Sequence, residues 1–215
     1  MQSKPLYLLL FSLLLSFLSW AQLRTEKLTK ANLPKAFKYK GAIMDGLTWT
    51  DSIGKHFVIL TETGPFMGKN QQNEMTDCEG ACQDAEVYAY HYVKTKDSSY
   101  QLWQLTDFER TCPFDVVAEF ARESLSVTDF DRDGVVEVWF VYKTTCTSDV
   151  SPRTMKLLMY EEKKKYAARG TSRVTPGPEG PVGGDFQLDA TFKSGPLIFR
   201  TFAARIWNKH VRDIY

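Results

Sequence analysis

Hydrophobic and polar residues alternate over short stretches through the middle of the chain: His56 to Thr63 (HFVILTET), Glu86 to Lys94 (EVYAYHYVK), Tyr100 to Thr106, Val135 to Lys143 and Met155 to Glu161. Each stretch is rich in β-branched or aromatic residues and bounded by Gly, Asp, Asn, Ser or Thr, which predicts a β-strand. With no long helix between them, these runs predict a mainly β fold, an antiparallel meander, with α+β as the alternative and parallel α/β disfavoured. The period lengthens to three and four in two places. One is a weak helical pattern from Phe114 to Glu123. The other is strong: after Pro196, which suits a first helical position, Ile198, Phe199, Phe202, Ala203, Ile206, Trp207 and Val211 form one apolar stripe. That C-terminal amphipathic helix is expected to lay its stripe on the sheet rather than on a membrane surface. Thr175 to Gly184 (TPGPEGPVGG) holds three Pro and four Gly and predicts an exposed connecting loop.

Within the run from Glu86, strand alternation puts Tyr88, Tyr90 and Tyr92 on one face and Val87, Ala89, His91 and Val93 on the other. A row of tyrosines suits sugar rings, which have apolar C–H faces and polar edges, and it equally suits a covered sheet face. His91, on the more apolar face, reads as a core residue.

The N-terminus adds a compartment. Residues 1–21 carry one basic residue, Lys4, then a 15-residue apolar stretch from Leu6 to Trp20, with small Ser19 and Ala21 at an A-x-A-like cleavage site. The stretch falls short of the roughly 18–20 residues that span a bilayer, so it reads as a secretory signal, leaving no stable membrane insertion after cleavage. Gln22 and Leu23 follow the site, so no lipidated Cys is indicated. Residues 22–215 are then a single domain in an exported protein, periplasmic, cell-surface or secreted. Against 26 acidic residues stand 27 basic ones, one of which leaves with the signal. A neutral chain lacks the positive field that nucleic acid binding needs.

Four cysteines, Cys78, Cys82, Cys112 and Cys146, in an oxidising compartment point to disulfides. Zinc is disfavoured, because only Cys78 and Cys82 are close and the histidines are scattered at positions 56, 91 and 210. Of three possible pairings, Cys78 with Cys82 and Cys112 with Cys146 is favoured, and sequence alone leaves all three open.

One motif carries specific chemistry. Asp129 to Glu137 reads D-x-D-x-D-G-x-x-E: carboxylates at Asp129, Asp131 and Asp133, a turn at Gly134, the Val135 carbonyl and an acid at Glu137 can wrap a hard cation, naturally calcium. An EF-hand would need a bidentate Glu where Phe140 stands. The loop instead resembles the strand-associated calcium loops of FG-GAP and related β-repeat proteins, with Glu137 in place of the usual Asp. The competing reading is a solvated acidic turn. Without a cation, one of these acids is expected to hold its proton unusually tightly.

The surrounding residues, TDFDRDGVVEVWFVYK, CTSDVSPRTMKLLMYE and KKYAARG, resemble a family of small exported bacterial proteins of surface polysaccharide (lipopolysaccharide) biosynthesis. The likeness covers roughly residues 78–170, and its strongest element is Cys146, Ser148, Asp149, Val150, Ser151 and Pro152. It implies a role in making or displaying envelope polysaccharide and carries over no catalytic residues. The sequence holds no G-x-S-x-G elbow, P-loop or dinucleotide fingerprint. Glu86, Asp107 and Asp115 are nominal candidates for a paired-carboxylate mechanism, with no set among them. The reading is therefore a non-catalytic accessory or binding protein acting on surface polysaccharide or with an envelope protein, holding a structural calcium. A secreted glycan-active hydrolase or transferase and an envelope protein-interaction module are the alternatives.

Overall fold

The computed structural model describes residues 23–68 and 82–213. Both the proposed signal and Cys78 lie outside these residues. The chain runs β1 (Glu26–Lys27), β2 (Ala42–Thr50), β3 (Lys55–Glu62), β4 (Phe66–Met67), β5 (Gln83–Lys94), β6 (Ser99–Cys112), β7 (Asp115–Phe120) and β8 (Ser126–Thr128). It continues through β9 (Glu137–Thr147), β10 (Thr154–Glu161), β11 (Lys164–Thr171), β12 (Arg173–Val174), β13 (Val182–Gly183) and β14 (Phe186–Leu188) to α1 (Ala190–Ser194) and α2 (Leu197–His210). The fold is mainly β, and every strand pair is antiparallel.

Two sheets carry it. In the first, the order is β1-β2-β3-β5-β6, with β4 continuing β3's side of β5. In the second, the order is β14-β11-β10-β9-β7, with β8 beside the start of β9. Consecutive strands β9, β10 and β11 make the expected meander, but the whole is two stacked sheets rather than one. Between them Trp49, Val58, Leu60, Val87, Ala89 and Leu105 of the first sheet meet Val116, Phe120, Val138, Phe140, Leu158 and Tyr160 of the second. Alternation then leaves an apolar outer face on each sheet, and each face is covered. On the second sheet, Trp139, Val141, Leu157 and Tyr166 pack against Phe192 of α1 and Phe199, Ala203, Ile206 and Trp207 of α2. The C-terminal stripe therefore closes on the sheet, with Pro196 as N-cap one position before the first helical residue.

The first sheet's outer face is covered by the segment after β1. Leu28, Leu33 and Phe37 bury Phe57, Ile59, Tyr88, Tyr90 and Tyr92, and the Phe37 ring stacks on Tyr92 at 4.3 Å. The tyrosine hydroxyls are engaged too: Tyr92 donates to the Lys38 carbonyl, Tyr90 accepts from the Lys40 amide and Tyr88 donates to Glu86. This corrects the sugar-binding expectation for Tyr88, Tyr90 and Tyr92, because their rings are covered and exposed by no more than 6%.

Two other expectations change. Residues 114–123 are not helical: Asp115–Phe120 is strand β7, with Val116, Ala118 and Phe120 buried at period two against β9. Pairing with a buried neighbour outweighs the weak helical spacing. In the Pro/Gly loop, Val182 and Gly183 return to pair with Arg173 and Val174, so residues 175–181 form the loop of a short hairpin.

Cys112 and Cys146 are disulfide-bonded, joining the end of β6 to the end of β9 and so one sheet to the other. Cys82 is disulfide-bonded as well. Replacing both Cys112 and Cys146 by Ala is expected to cost about 3–4 kcal/mol of unfolding free energy, the loop-closure entropy of a link this long. Urea unfolding of the oxidised proteins measures it. An unchanged midpoint would show that the link does not constrain the unfolded chain.

Candidate metal centre

β8 and β9 form a hairpin whose last pair is Thr128 opposite Glu137, and residues 129–136 are its loop. Two residues with positive φ, Arg132 at 62° and Gly134 at 86°, turn the loop back on itself. Gly adopts this geometry without strain, whereas Arg132 takes it up at some cost. Asp133 Oδ1 accepts the Val135 amide at 2.7 Å, tightening the tip. Phe130 reaches the other way and meets Phe202 of α2 edge-on at 4.5 Å.

Glu137 is fully buried. Its carboxylate accepts from the Thr128 hydroxyl and from the Phe130 amide at 3.1 and 3.2 Å. Thr128 is held in turn by the Trp139 indole N–H at 2.8 Å. Around this fixed group the side-chain oxygens of Asp129, Asp131 and Glu137 come within 4.8 Å of one another. Asp129 Oδ1 and Asp131 Oδ1 are buried there and accept no hydrogen bond. A second group joins Asp131 and Asp133 to Glu161.

Glu161 was not found by sequence reasoning. It lies 24 residues beyond Glu137, and the β9–β10 register sets the two directly opposite. Like charges facing across a ladder destabilise it unless something neutral or positive intervenes. Lys164 Nζ stands 3.9 Å from Glu161 and is itself well exposed.

The electrostatics follow from burial. Loss of solvent, then repulsion from Asp131 and Asp129, outweigh the Thr128 and Phe130 hydrogen bonds and push Glu137 up to about 7. Asp131 is raised as well, by burial and by Asp133 and Asp129. This is the tightly held proton expected of the loop without a cation. A divalent ion would replace that proton and give the orphaned oxygens of Asp129 and Asp131 a partner. The donors are all hard oxygens, which suit calcium rather than a softer transition metal.

The nominal catalytic acids are placed differently. Glu86 is held by Tyr88 and Arg110; burial raises it, but these hydrogen bonds win and it is lowered overall. Asp107 takes Tyr142 at 2.7 Å and Lys156 at 2.5 Å, and is lowered despite its burial. Asp115 is exposed at the start of β7. The structure brings no two of these three into one site. It does place His91 inside, as expected, with Nε2 2.9 Å from Nδ1 of His56. That pairing too was invisible in sequence, since β3 and β5 bring it together across 35 residues.

Glu137 binds its proton more tightly folded, at about 7, than its ordinary value of 4.5 allows. Metal-free stability is thus fullest below the lower value and is lost as pH rises through the higher one. In chelator, the melting temperature should fall between about pH 5 and about pH 8. Glu137→Gln keeps an acceptor for Phe130 and a partner for Thr128 while removing the charge, so it should flatten this fall and melt higher at the alkaline end. Equal slopes for both proteins would show that Glu137 does not titrate in this range.

No family model, curated protein or solved structure matches this chain.

Proposed function

We propose that the protein is an exported, non-catalytic binding protein that serves in making or displaying surface polysaccharide, and that residues 129–137 hold a calcium ion as part of its fold. The observation that carries the metal is the convergence of Asp129, Asp131 and buried Glu137 with two carboxylate oxygens lacking any partner. Asp129, Asp131 and Glu137 hold the ion, Asp133 and Glu161 flank it, and Asp133 also fixes the Val135 amide at the tip. Its role is structural: it neutralises the end of a strand that is packed on both faces.

Export is supported by the cross-sheet disulfide, since such bonds persist in oxidising compartments. Among the described residues no helix is long and apolar enough to cross a membrane. The polysaccharide role rests on the resemblance carried by residues 78–170. Binding is favoured over hydrolysis because Glu86 and Asp107 are each committed to a basic and a phenolic partner rather than paired across a cleft.

Saturating calcium, at about 100 times its dissociation constant, should add about 2.7 kcal/mol, or roughly 5–10 °C in melting temperature for a domain of this size. Asp131→Ala should abolish the response. No shift in the wild type would make the loop a plain acidic turn. Incubated with the cell's own purified polysaccharide, the calcium-loaded protein should retain it and release no new reducing ends. Released ends would make the protein a hydrolase, and no retention would remove the polysaccharide role.

A further inference from the structure

Among the described residues, strand β6 pairs with β5 alone, and its ladder is interrupted beside the tyrosine row. Between the pairs His91–Trp103 and Tyr92–Gln101, β6 carries one extra residue, Leu102. A bulge of this kind re-aims the side chains on either side of it. Gln101 therefore stands on the same face as Gln104, Thr106 and Phe108, which pair with Tyr90, Tyr88 and Glu86. Arg110 extends the row, bonded to Glu86 and lying over the Phe108 ring at 4.1 Å. All five side chains of the row are exposed, Phe108 by 48%. The Gln101 amide donates to the Gln104 carbonyl at 3.4 Å, and the Gln104 amide donates to the Thr106 hydroxyl at 3.2 Å. This orders the row and leaves the Thr106 hydroxyl hydrogen as a donor at its end.

Beside this row the segment that covers the tyrosines ends in Lys38, Tyr39 and Lys40. Between the segment and β6 runs an open groove of about 480 Å³, with Tyr88 and Tyr90 beneath it. Its charged lining is Lys38, Lys40 and Arg110 against Glu86. Glu86 is already held by Arg110 and by the Tyr88 hydroxyl, so the charges of Lys38 and Lys40 are left over. Both lysines are exposed, and among the described residues neither stands in an ion pair. Lys40 Nζ lies 5.6 Å from the centre of the Tyr88 ring, on the groove side of the sheet. In a chain whose formal net charge is only +1, this surplus is a local feature.

We propose that this groove binds a stretch of acidic polysaccharide. Its carboxylates pair with Lys38 and Lys40, its hydroxyls bond along Gln101, Gln104 and Thr106, and one sugar lays its C–H face on the Phe108 ring. Sugar hydroxyls both donate and accept, as side-chain amides do, so a row of amides suits them without needing one fixed orientation. The tyrosine rings, covered as described above, do no stacking. A neutral glycan would leave both lysines unmatched. An acidic peptide would match them, but peptides gain their hold by adding a strand at a sheet edge or filling apolar pockets. This groove lies on the face of the sheet, and Phe108 is the one large apolar side chain exposed along it. That the acidic chain is a polysaccharide rests on the reading above; the groove and its charge do not depend on it.

Titration calorimetry of the calcium-loaded protein tests the groove with three probes: a hyaluronan oligosaccharide, a neutral malto-oligosaccharide of the same length, and oligoglutamate. The hyaluronan oligosaccharide should bind saturably, and the other two about tenfold more weakly or worse. Added salt should weaken its binding. Lys38→Gln combined with Lys40→Gln should weaken it about tenfold, as loss of two exposed ion pairs would. Gln104→Ala should weaken it as well. The fold should survive these changes, because Tyr90 and Tyr92 bond the backbone of Lys40 and Lys38 and not their side chains; an unchanged melting temperature checks this. Lys163→Gln combined with Lys193→Gln removes two exposed charges outside the groove and should leave binding as it was. No binding of the hyaluronan oligosaccharide, equal binding of oligoglutamate or of the neutral chain, or equal loss in the two double variants would overturn the proposal. Native polysaccharide retained equally by wild type and the Lys38, Lys40 variant would overturn the groove while sparing the broader function. Hyaluronan binding through Lys38 and Lys40 without retention of the native polysaccharide would do the reverse.

Discussion

Strand β9 is buried on both faces along most of its length, and the rest of the molecule is arranged to make that possible. Val138, Phe140 and Tyr142 point into the space between the sheets, while Trp139 and Val141 point into the layer beneath α2. A strand with two apolar faces cannot sit at a solvated surface, so it demands a sheet on one side and a helix on the other. The amphipathic C-terminal helix answers the second demand, and the stacking of the sheets answers the first. The same logic on the opposite sheet draws the segment from Leu28 to Phe37 over Tyr88, Tyr90 and Tyr92. Four layers follow from alternation alone, once neither face of either sheet is polar at its centre.

The two ends of β9 inherit the consequences. One end carries Cys146, bonded to Cys112 at the end of β6, so the disulfide ties together the sheets that β9's inner face already joins. The other end begins with Glu137, a carboxylate placed by pairing and packing where water does not reach. Its neighbours cannot relieve it: Asp129 and Asp131 add negative charge, and Glu161 lies opposite in register. Hydrogen bonds from Thr128 and Phe130 orient the group but do not outweigh its desolvation. The strain on this carboxylate is a product of the fold and not of the loop taken alone.

Sequence pattern revealed the elements whose reason for existing is local. Runs such as HFVILTET carry their own strand periodicity, and the stripe from Ile198 to Val211 its own helical one. What stayed hidden depends on partners distant in the chain. β11 (KKYAARGT) is built from lysines and alanines and is a strand because β10 and β14 flank it. β7 has a spacing that serves helix or strand, and β9 decides between them. The acidic loop was legible because five of its residues lie within nine positions, whereas Glu161 and the His56–His91 pair exist only through register. The tyrosine row shows the converse: alternation correctly put Tyr88, Tyr90 and Tyr92 on one face, but only the fold shows what covers that face.

Buried polar atoms without partners are rare in folded proteins, because each one forfeits its hydration for nothing. Among the described residues of this chain several gather at one end, while Thr61 Oγ1 and Arg200 Nε lie elsewhere. Asp129, Asp131, Trp49, His91 and Trp103 belong to that end. The cavity that Asp129 and Trp49 line and the cavity that the two histidines line share Asp51, Gly134 and Val136. The acidic loop therefore has the carboxylates at its base and the cavity's mouth at its tip. Unsatisfied groups gathered at one end are a local departure from the rules of stability. Departures of that kind concentrate where a protein holds something that completes it. The loop from Asp129 to Val136 carries the carboxylates and lines both cavities, so whatever fixes its base also sets the wall of the cavity beside it.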